Sequence, residues 1–254
     1  MKEPKRKIII GDIHGCIDEL KSLVSKIAIT SGDELYFIGD LIDKGPDSVA
    51  VVKYVYALSK KNKTILILGN HEEKFLRYLH NKAHNVKALE QMKITIDFQV
   101  LEQELTSEEL DFLKSSYYSF TIAENNLLLL HGGITSNCKL NLNINYQYNV
   151  HSPKEFKGLD LITKTRYIDA AGKFVSFGQE TDETPFWAEV YSGDFGTIIF
   201  GHQPFMQETP KIFPHAIGID TACVFGGVLT ALVVSETTTF ISVSANHVYA
   251  QIKN

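Results

Sequence analysis

Short apolar runs alternate along this chain with segments whose apolar residues fall at helical spacing. Ile8-Ile9-Ile10, Leu35-Tyr36-Phe37-Ile38 and Ile65-Leu66-Ile67-Leu68 are too short for helices and carry no polar position, which marks them as buried strands. Between the first two, Leu20, Leu23, Val24 and Ile27 predict an amphipathic helix over residues 18–29. Between the second and third, Pro46 and Asp47 mark a helix start, and Val49, Val52, Val55 and Tyr56 carry it to about Lys61. Strand-helix-strand-helix-strand with short loops predicts parallel pairing and right-handed crossovers. In such sheets, ligands bind at the carboxyl ends of the strands.

Residues 73–118 alternate charged and apolar positions and read as helical, with Thr106-Ser107-Glu108-Glu109 as a helix entry, so a cap over the strand ends is expected there. Leu127–Leu130 and Thr197–Phe200 are a fourth and a fifth strand. The interval 135–196 is polar and predicts loops with a small irregular element. Residues 216–219, 228–235 and 239–244 are rich in β-branched side chains and hairpin-like, which predicts a second sheet with antiparallel strands. No repeat and no low-complexity linker interrupts the chain, so one domain over residues 1–254 is expected.

Each of the five strands ends in a metal-ligand type. The endings are Gly11-Asp12-Ile13-His14-Gly15, Gly39-Asp40-Leu41-Ile42-Asp43-Lys44-Gly45, Gly69-Asn70-His71-Glu72, His131-Gly132-Gly133 and Gly201-His202. One Gly-Asp after a strand is ordinarily a turn. Five such endings at successive strands point to a shared site. Carboxylate, amide and imidazole donors suit Mn, Fe or Zn rather than a thiolate-selected metal. Asp12, His14, Asp40, Asn70, His71, His131 and His202 together suit two ions better than one. Asp12 and His14, two residues apart, face the same side of an extended segment, and Asp40 on the central strand is the natural bridge between ions about 3.5–4 Å apart. His80, His84, His151, His215 and His247 lack this context and are expected to be structural or surface residues.

Composition narrows the partners. Hydrophobic content of 44% and charged content of 22% are those of an ordinary globular chain. A formal charge of -5 argues against a nucleic-acid-binding surface, while a small anion beside bound cations stays compatible with it. Cys16, Cys138 and Cys223 are too few and scattered for a disulfide framework, which fits a reducing cytoplasm. Lys2, Lys5, Arg6 and Lys7 precede only three apolar residues and then Asp12, so neither a signal peptide nor a membrane span is expected.

The five endings, in this order, resemble the signature of the phosphoprotein phosphatase family of calcineurin-like metallophosphoesterases. That family includes serine/threonine phosphatases, the bacteriophage lambda type and the diadenosine tetraphosphatases. Ile219-Asp220-Thr221-Ala222-Cys223-Val224-Phe225-Gly226 looks like a late segment of its bacterial and phage members. The resemblance implies an α/β fold, a four-layer αββα sandwich with mixed sheets and a small helical cap. It implies two divalent ions, manganese first and iron or zinc as alternatives. Asp12, His14 and Asp40 would hold one, and Asp40, Asn70, His131 and His202 the other. His71 would be the general acid, oriented by Asp43. Lys44, Asn70 and Arg166 would bind the substrate phosphate, with Lys164 an alternative to Arg166. Lys44 stands where the protein phosphatases usually carry Arg.

The implied reaction is direct, in-line attack on phosphorus by a hydroxide that the two cations share. The first reading of the substrate is phosphoserine or phosphothreonine in a protein. The second, suggested by Lys44-Gly45-Pro46-Asp47-Ser48, is a dinucleoside polyphosphate or another nucleotide anhydride. An anhydride substrate calls for further cations and a base-stacking aromatic, for which Trp187, Phe186 and Tyr167 are candidates and core packing the competing role. A catalytically inactive phosphate-binding relative is disfavoured because every ligand position, Asp43 and His71 are present. Oligomeric state is left open.

Overall fold

In the computed structural model, which describes residues 5–252, the first apolar run forms β1 (Lys7–Ile10), and its side chains divide by parity. Ile8 and Ile10 join a core that includes Leu20, Leu23, Val51 and Val55 from two helices. Ile9 joins Tyr36, Ile38, Ile67, Leu129 and Ile199 in a second, separate core. Alternate residues of a strand project to opposite faces. A strand with no polar position therefore needs cover on both faces, and a sandwich of two sheets with outer helices provides it. Lys2 lies outside the described residues.

The chain continues through α1 (Ile17–Ile27), β2 (Glu34–Phe37), α2 (Ser48–Ser59) and β3 (Lys63–Leu66). As expected, β1, β2 and β3 pair in parallel, with Ile10 opposite Phe37 and Phe37 opposite Leu66. Four helices follow: α3 (Asn70–His84), α4 (Val86–Glu90), α5 (Ile96–Glu104) and α6 (Ser107–Lys114). Thr106 and Glu109 close a capping box at the start of α6. The second sheet opens with β4 (Tyr117–Ile122), β5 (Leu127–Leu130) and β6 (Tyr146–Gln147). The polar interval folds as α7 (Ser152–Glu155), a small hairpin of β7 (Tyr167–Ile168) and β8 (Phe174–Val175), and α8 (Trp187–Val190). Then come β9 (Thr197–Phe200), β10 (Lys211–Ile212), β11 (Ala216–Gly218), β12 (Val228–Val234) and β13 (Thr238–Ser244).

One sheet runs β13-β12-β1-β2-β3 and the other β10-β11-β9-β5-β4-β6. This corrects the expectation for the C-terminal strands. They do not build the second sheet together: β12 pairs antiparallel with β1 and completes the first sheet, while β11 alone joins the second, parallel to β9. The reason lies in β12 itself. All seven of its residues are buried, so it occupies an interior position between β1 and β13 rather than an edge. The carboxyl ends of β1, β2, β3, β5 and β9 carry the five ligand-bearing turns. No helix among the described residues is long and apolar enough to cross a membrane.

Candidate active site

The five strand ends converge on Asp40, which is buried. His14 Nε2 lies 3.4 Å from Asp40 Oδ2, and His131 Nε2 lies 3.3 Å from Asp40 Oδ1. His71 Nε2 stands 3.9 Å from Asp40 Oδ2. Two groups of donors therefore share this one carboxylate, His14-Asp40-His71 and Asp40-His131-His202, with the ligand atoms of each group within 4.8 Å of one another. Asn70 Oδ1 is 3.2 Å from His131 Nε2 and 2.7 Å from His202 Nδ1. Asp12 belongs to neither group. Its Oδ2 accepts from the His202 backbone N–H at 3.0 Å, and its Oδ1 is buried without a hydrogen-bond partner.

Local backbone geometry places these groups. His14, Asp40, Asp43, Lys44 and His202 all have φ between 46° and 72°, the left-handed region that side-chain-bearing residues rarely adopt. Five such residues at strand ends concentrate strain in one place, as functional turns commonly do. At Gly201 a Cβ would run into the Asp12 carboxylate, so only glycine lets β9 end against that side chain.

Glu72, in the first turn of α3, holds the central turn in shape. Its carboxylate accepts from the backbone N–H groups of Asp40, Leu41, Ile42 and Gly69 at 2.8–3.1 Å. Burial, and then the Asp40 charge, push its pKa up to about 7. Asp43 accepts a hydrogen bond from His71 Nδ1 at 2.8 Å, and the Asp43 backbone N–H donates to Ser48 Oγ at 2.8 Å and to Asp97 at 3.1 Å. Burial alone would raise the Asp43 carboxyl, yet the His71 hydrogen bond and charge hold it below its ordinary value.

The donor set fits cations. His131 Nε2 lies 3.3 Å from Asp40 Oδ1 and 3.2 Å from Asn70 Oδ1, a gathering of lone-pair groups that a metal ion would reconcile. The His14 and His131 Nδ1 atoms lie 2.9 Å and 2.7 Å from the carbonyls of Ile42 and Ile38, which orients each ring with Nε2 toward Asp40. Burial would raise Asp40, but His131, His71 and His14 hold it well below its usual range. Burial and the nearby Asp220 push Asp12 well above its own. Burial would lower His131, but Asp40 and Asp12 raise it to about 9. Burial, then Lys44, lowers His14; burial, then Arg166, lowers His202. The donors are all oxygen and nitrogen: Cys16 is buried, its Sγ donating to the His14 carbonyl at 3.8 Å.

The predicted phosphate contacts separate. Lys44 Nζ donates to His14 Nε2 at 2.8 Å and lies 5.4 Å from the Phe225 ring centre. Arg166 donates to the His202 carbonyl at 2.8 Å, and its Nε is buried without a partner. Lys164, the alternative to Arg166, instead pairs with Asp160 at 2.9 Å. Lys44 and Arg166 line a cavity of about 660 Å³ together with Asp43, His71, His202 and Asp220. Asp220 had no role in the sequence reading, although the segment around it was recognised. Phe186 and Trp187 are core residues, packed with Phe200, and Tyr167 packs on Phe186. His80, His84 and His151 neighbour one another away from the centre.

Comparison with known proteins agrees with this geometry. Residues 5–206 match the model of the calcineurin-like phosphoesterase family. The bis(5'-nucleosyl)-tetraphosphatase PrpE of Oceanobacillus iheyensis is 32% identical over 240 residues, covering 88% of this chain and 86% of that protein. A solved structure described, provisionally, as a diadenosine tetraphosphatase superposes with a TM-score of 0.70 at 27% identity, covering 96% of this chain and 95% of the other. The cold-active protein-tyrosine phosphatase of a psychrophilic Shewanella shares the fold at 20% identity, with a TM-score of 0.62 and coverage of 96% and 81%.

Proposed function

This chain belongs to the calcineurin-like phosphoesterase family, and on that premise we propose that it hydrolyses a phosphoanhydride bond in a dinucleoside polyphosphate. That it is a metallophosphoesterase, a phosphoric ester hydrolase, follows from the family. The finer reading rests on the convergence of five strand ends on Asp40, in a chain whose relatives bear tetraphosphatase names along almost their whole length. Between the two substrate readings of the sequence, these relatives favour the nucleotide over the phosphoprotein.

Asp12, His14 and Asp40 would hold one divalent cation, and Asp40, Asn70, His131 and His202 the other, with manganese the first choice. When bound, the pair supplies Lewis acidity that activates water and neutralises phosphoryl charge. The chain's own side chains do the rest. Lys44 and Arg166 bind the non-bridging oxygens of the reacting phosphate, where charge spreads in the transition state. His71, oriented by Asp43 through Nδ1, gives the proton on Nε2 to the departing phosphate oxygen as the P–O bond breaks. Water supplies the new oxygen on phosphorus, so the products are two phosphate-bearing fragments.

The test is hydrolysis by the purified protein with Mn(II), side by side on diadenosine tetraphosphate, a phosphoserine peptide and p-nitrophenyl phosphate. The highest kcat/KM is expected for diadenosine tetraphosphate. Turnover of the phosphopeptide with none of the dinucleotide would overturn the reading in favour of a protein phosphatase.

A further inference from the structure

The wall of the active cavity carries more positive charge than one phosphate requires. Besides Lys44 and Arg166, it includes Lys74 on α3 and Lys93 between α4 and α5. Lys74 follows His71 by three residues, the spacing that puts both side chains on one face of the helix. Among the described residues, none of these four cations has a carboxylate within 4.0 Å, although Asp43 and Asp220 line the same cavity. On a chain of formal charge -5, four cations against the two carboxylates that line this cavity match a ligand with several negative charges in a row.

An aromatic face stands beside them. Phe177, in the segment that follows β8, lines the same cavity and is 62% exposed. The Arg166 guanidinium lies 5.2 Å from its ring centre. Of the aromatics that the sequence offered for stacking, Phe186 and Trp187 are buried, and Tyr167 packs on Phe186 and lines a different pocket. Phe225 also lines the cavity, but it is half-buried against the core. Phe177 is the ring with open surface, and it is tied through Arg166 to the reacting phosphate's binding site.

We propose that Phe177 stacks on a nucleobase of the substrate while Lys74 and Lys93 bind the phosphates beyond the one that reacts. This rests on the phosphoanhydride reading and assigns α3 and the turn between α4 and α5 a part in substrate selection. A cavity of about 660 Å³ suits it: pockets of roughly 300–1,000 Å³ hold drug-sized ligands, the scale of one nucleotide rather than of a lone phosphate. An acidic phosphopeptide would engage the lysines and leave Phe177 without a π-faced partner.

The experiment compares F177A, F177W and the double variant K74A/K93A with the wild type, all loaded with Mn(II). It measures the ratio of kcat/KM for diadenosine tetraphosphate to that for p-nitrophenyl phosphate. F177A should lower the ratio about tenfold, chiefly through KM, as loss of one base-stacking contact does, and F177W should restore it. K74A/K93A should lower it too, and by less as salt is added, because screening weakens the wild-type advantage. Ratios within about twofold of wild type for F177A and for K74A/K93A would overturn the proposal, since stacking and charge contacts are worth more than that. If the wild type hydrolyses p-nitrophenyl phosphate and leaves the dinucleotide intact, the phosphoanhydride reading itself has failed. Normal dinucleotide turnover that is insensitive to the variants would sink only this inference.

Discussion

At position 71 the two ring nitrogens have different neighbours, Asp43 at 2.8 Å on Nδ1 and Asp40 at 3.9 Å on Nε2. Proximity to His14 and Asp40 would allow the ring to serve as a ligand, while the Asp43 bond suits a proton donor. The roles differ in what the substitution His71→Asn removes. As a general acid, its loss should cost about a hundredfold or more in kcat on alkyl phosphomonoesters, whose leaving oxygen needs the proton. The loss should be smaller on an anhydride, whose leaving phosphate is far less basic, and metal content measured by elemental analysis should stay at the wild-type level. A variant that loses metal would make His71 a ligand. The ligand types are legible at the residue scale because each follows a strand end, whereas the role of Glu72 is not. Its four backbone hydrogen bonds depend on Gly69 and the central turn coming together in space. The available signal was local: Glu72 stands three residues after Gly69, the capping-box position at the start of α3.

Among the elements, β1, β2 and β3 with their helices were legible because each strand is an apolar run, and each crossover contains one helix, long enough to return the chain for parallel pairing. The hairpin of β12 and β13 was legible as a hairpin, but its sheet was not, because strand order depends on which edge remains open after the parallel strands have paired. The start of β2 shows how such a strand is fastened. Asp33 accepts from Arg6 Nε at 2.9 Å and Nη2 at 2.6 Å, while Arg6 also donates to the Ala28 carbonyl at 3.0 Å, tying β1, α1 and β2 together. Burial would raise the Asp33 carboxyl, yet the Arg6 and Thr30 hydrogen bonds hold it below its ordinary value. A carboxyl lowered in the folded state adds stability above its unfolded pKa and loses that share as pH falls through the folded one. Asp33→Asn should therefore lower the unfolding free energy by about 2 kcal/mol at neutral pH. Urea titrations should show the gap to wild type closing as pH drops below about 4. A gap that stays constant as pH falls below about 4 would contradict this origin.

For the molecule as a whole, the two sheets meet where function is expected. Asp12, His14, Asp40 and Asn70 follow strands of the first sheet, and His131 and His202 follow strands of the second. Bound cations would therefore join the two halves of the sandwich at their common edge, with Asp40 between them. The convergence was legible in the sequence as a repeated ending, whereas Lys74, Lys93 and Phe177 were not, because lysines and a loop phenylalanine carry no pattern until the cavity forms. The most direct test of the shared centre is low-temperature EPR of the protein titrated with Mn(II), read together with metal content. Two Mn(II) per chain with an exchange-coupled signal, lost when Asp40 is replaced by Asn, is the predicted result, because a bridging carboxylate holds paired ions about 3.5–4 Å apart. A single magnetically isolated Mn(II) per chain at saturation would contradict it.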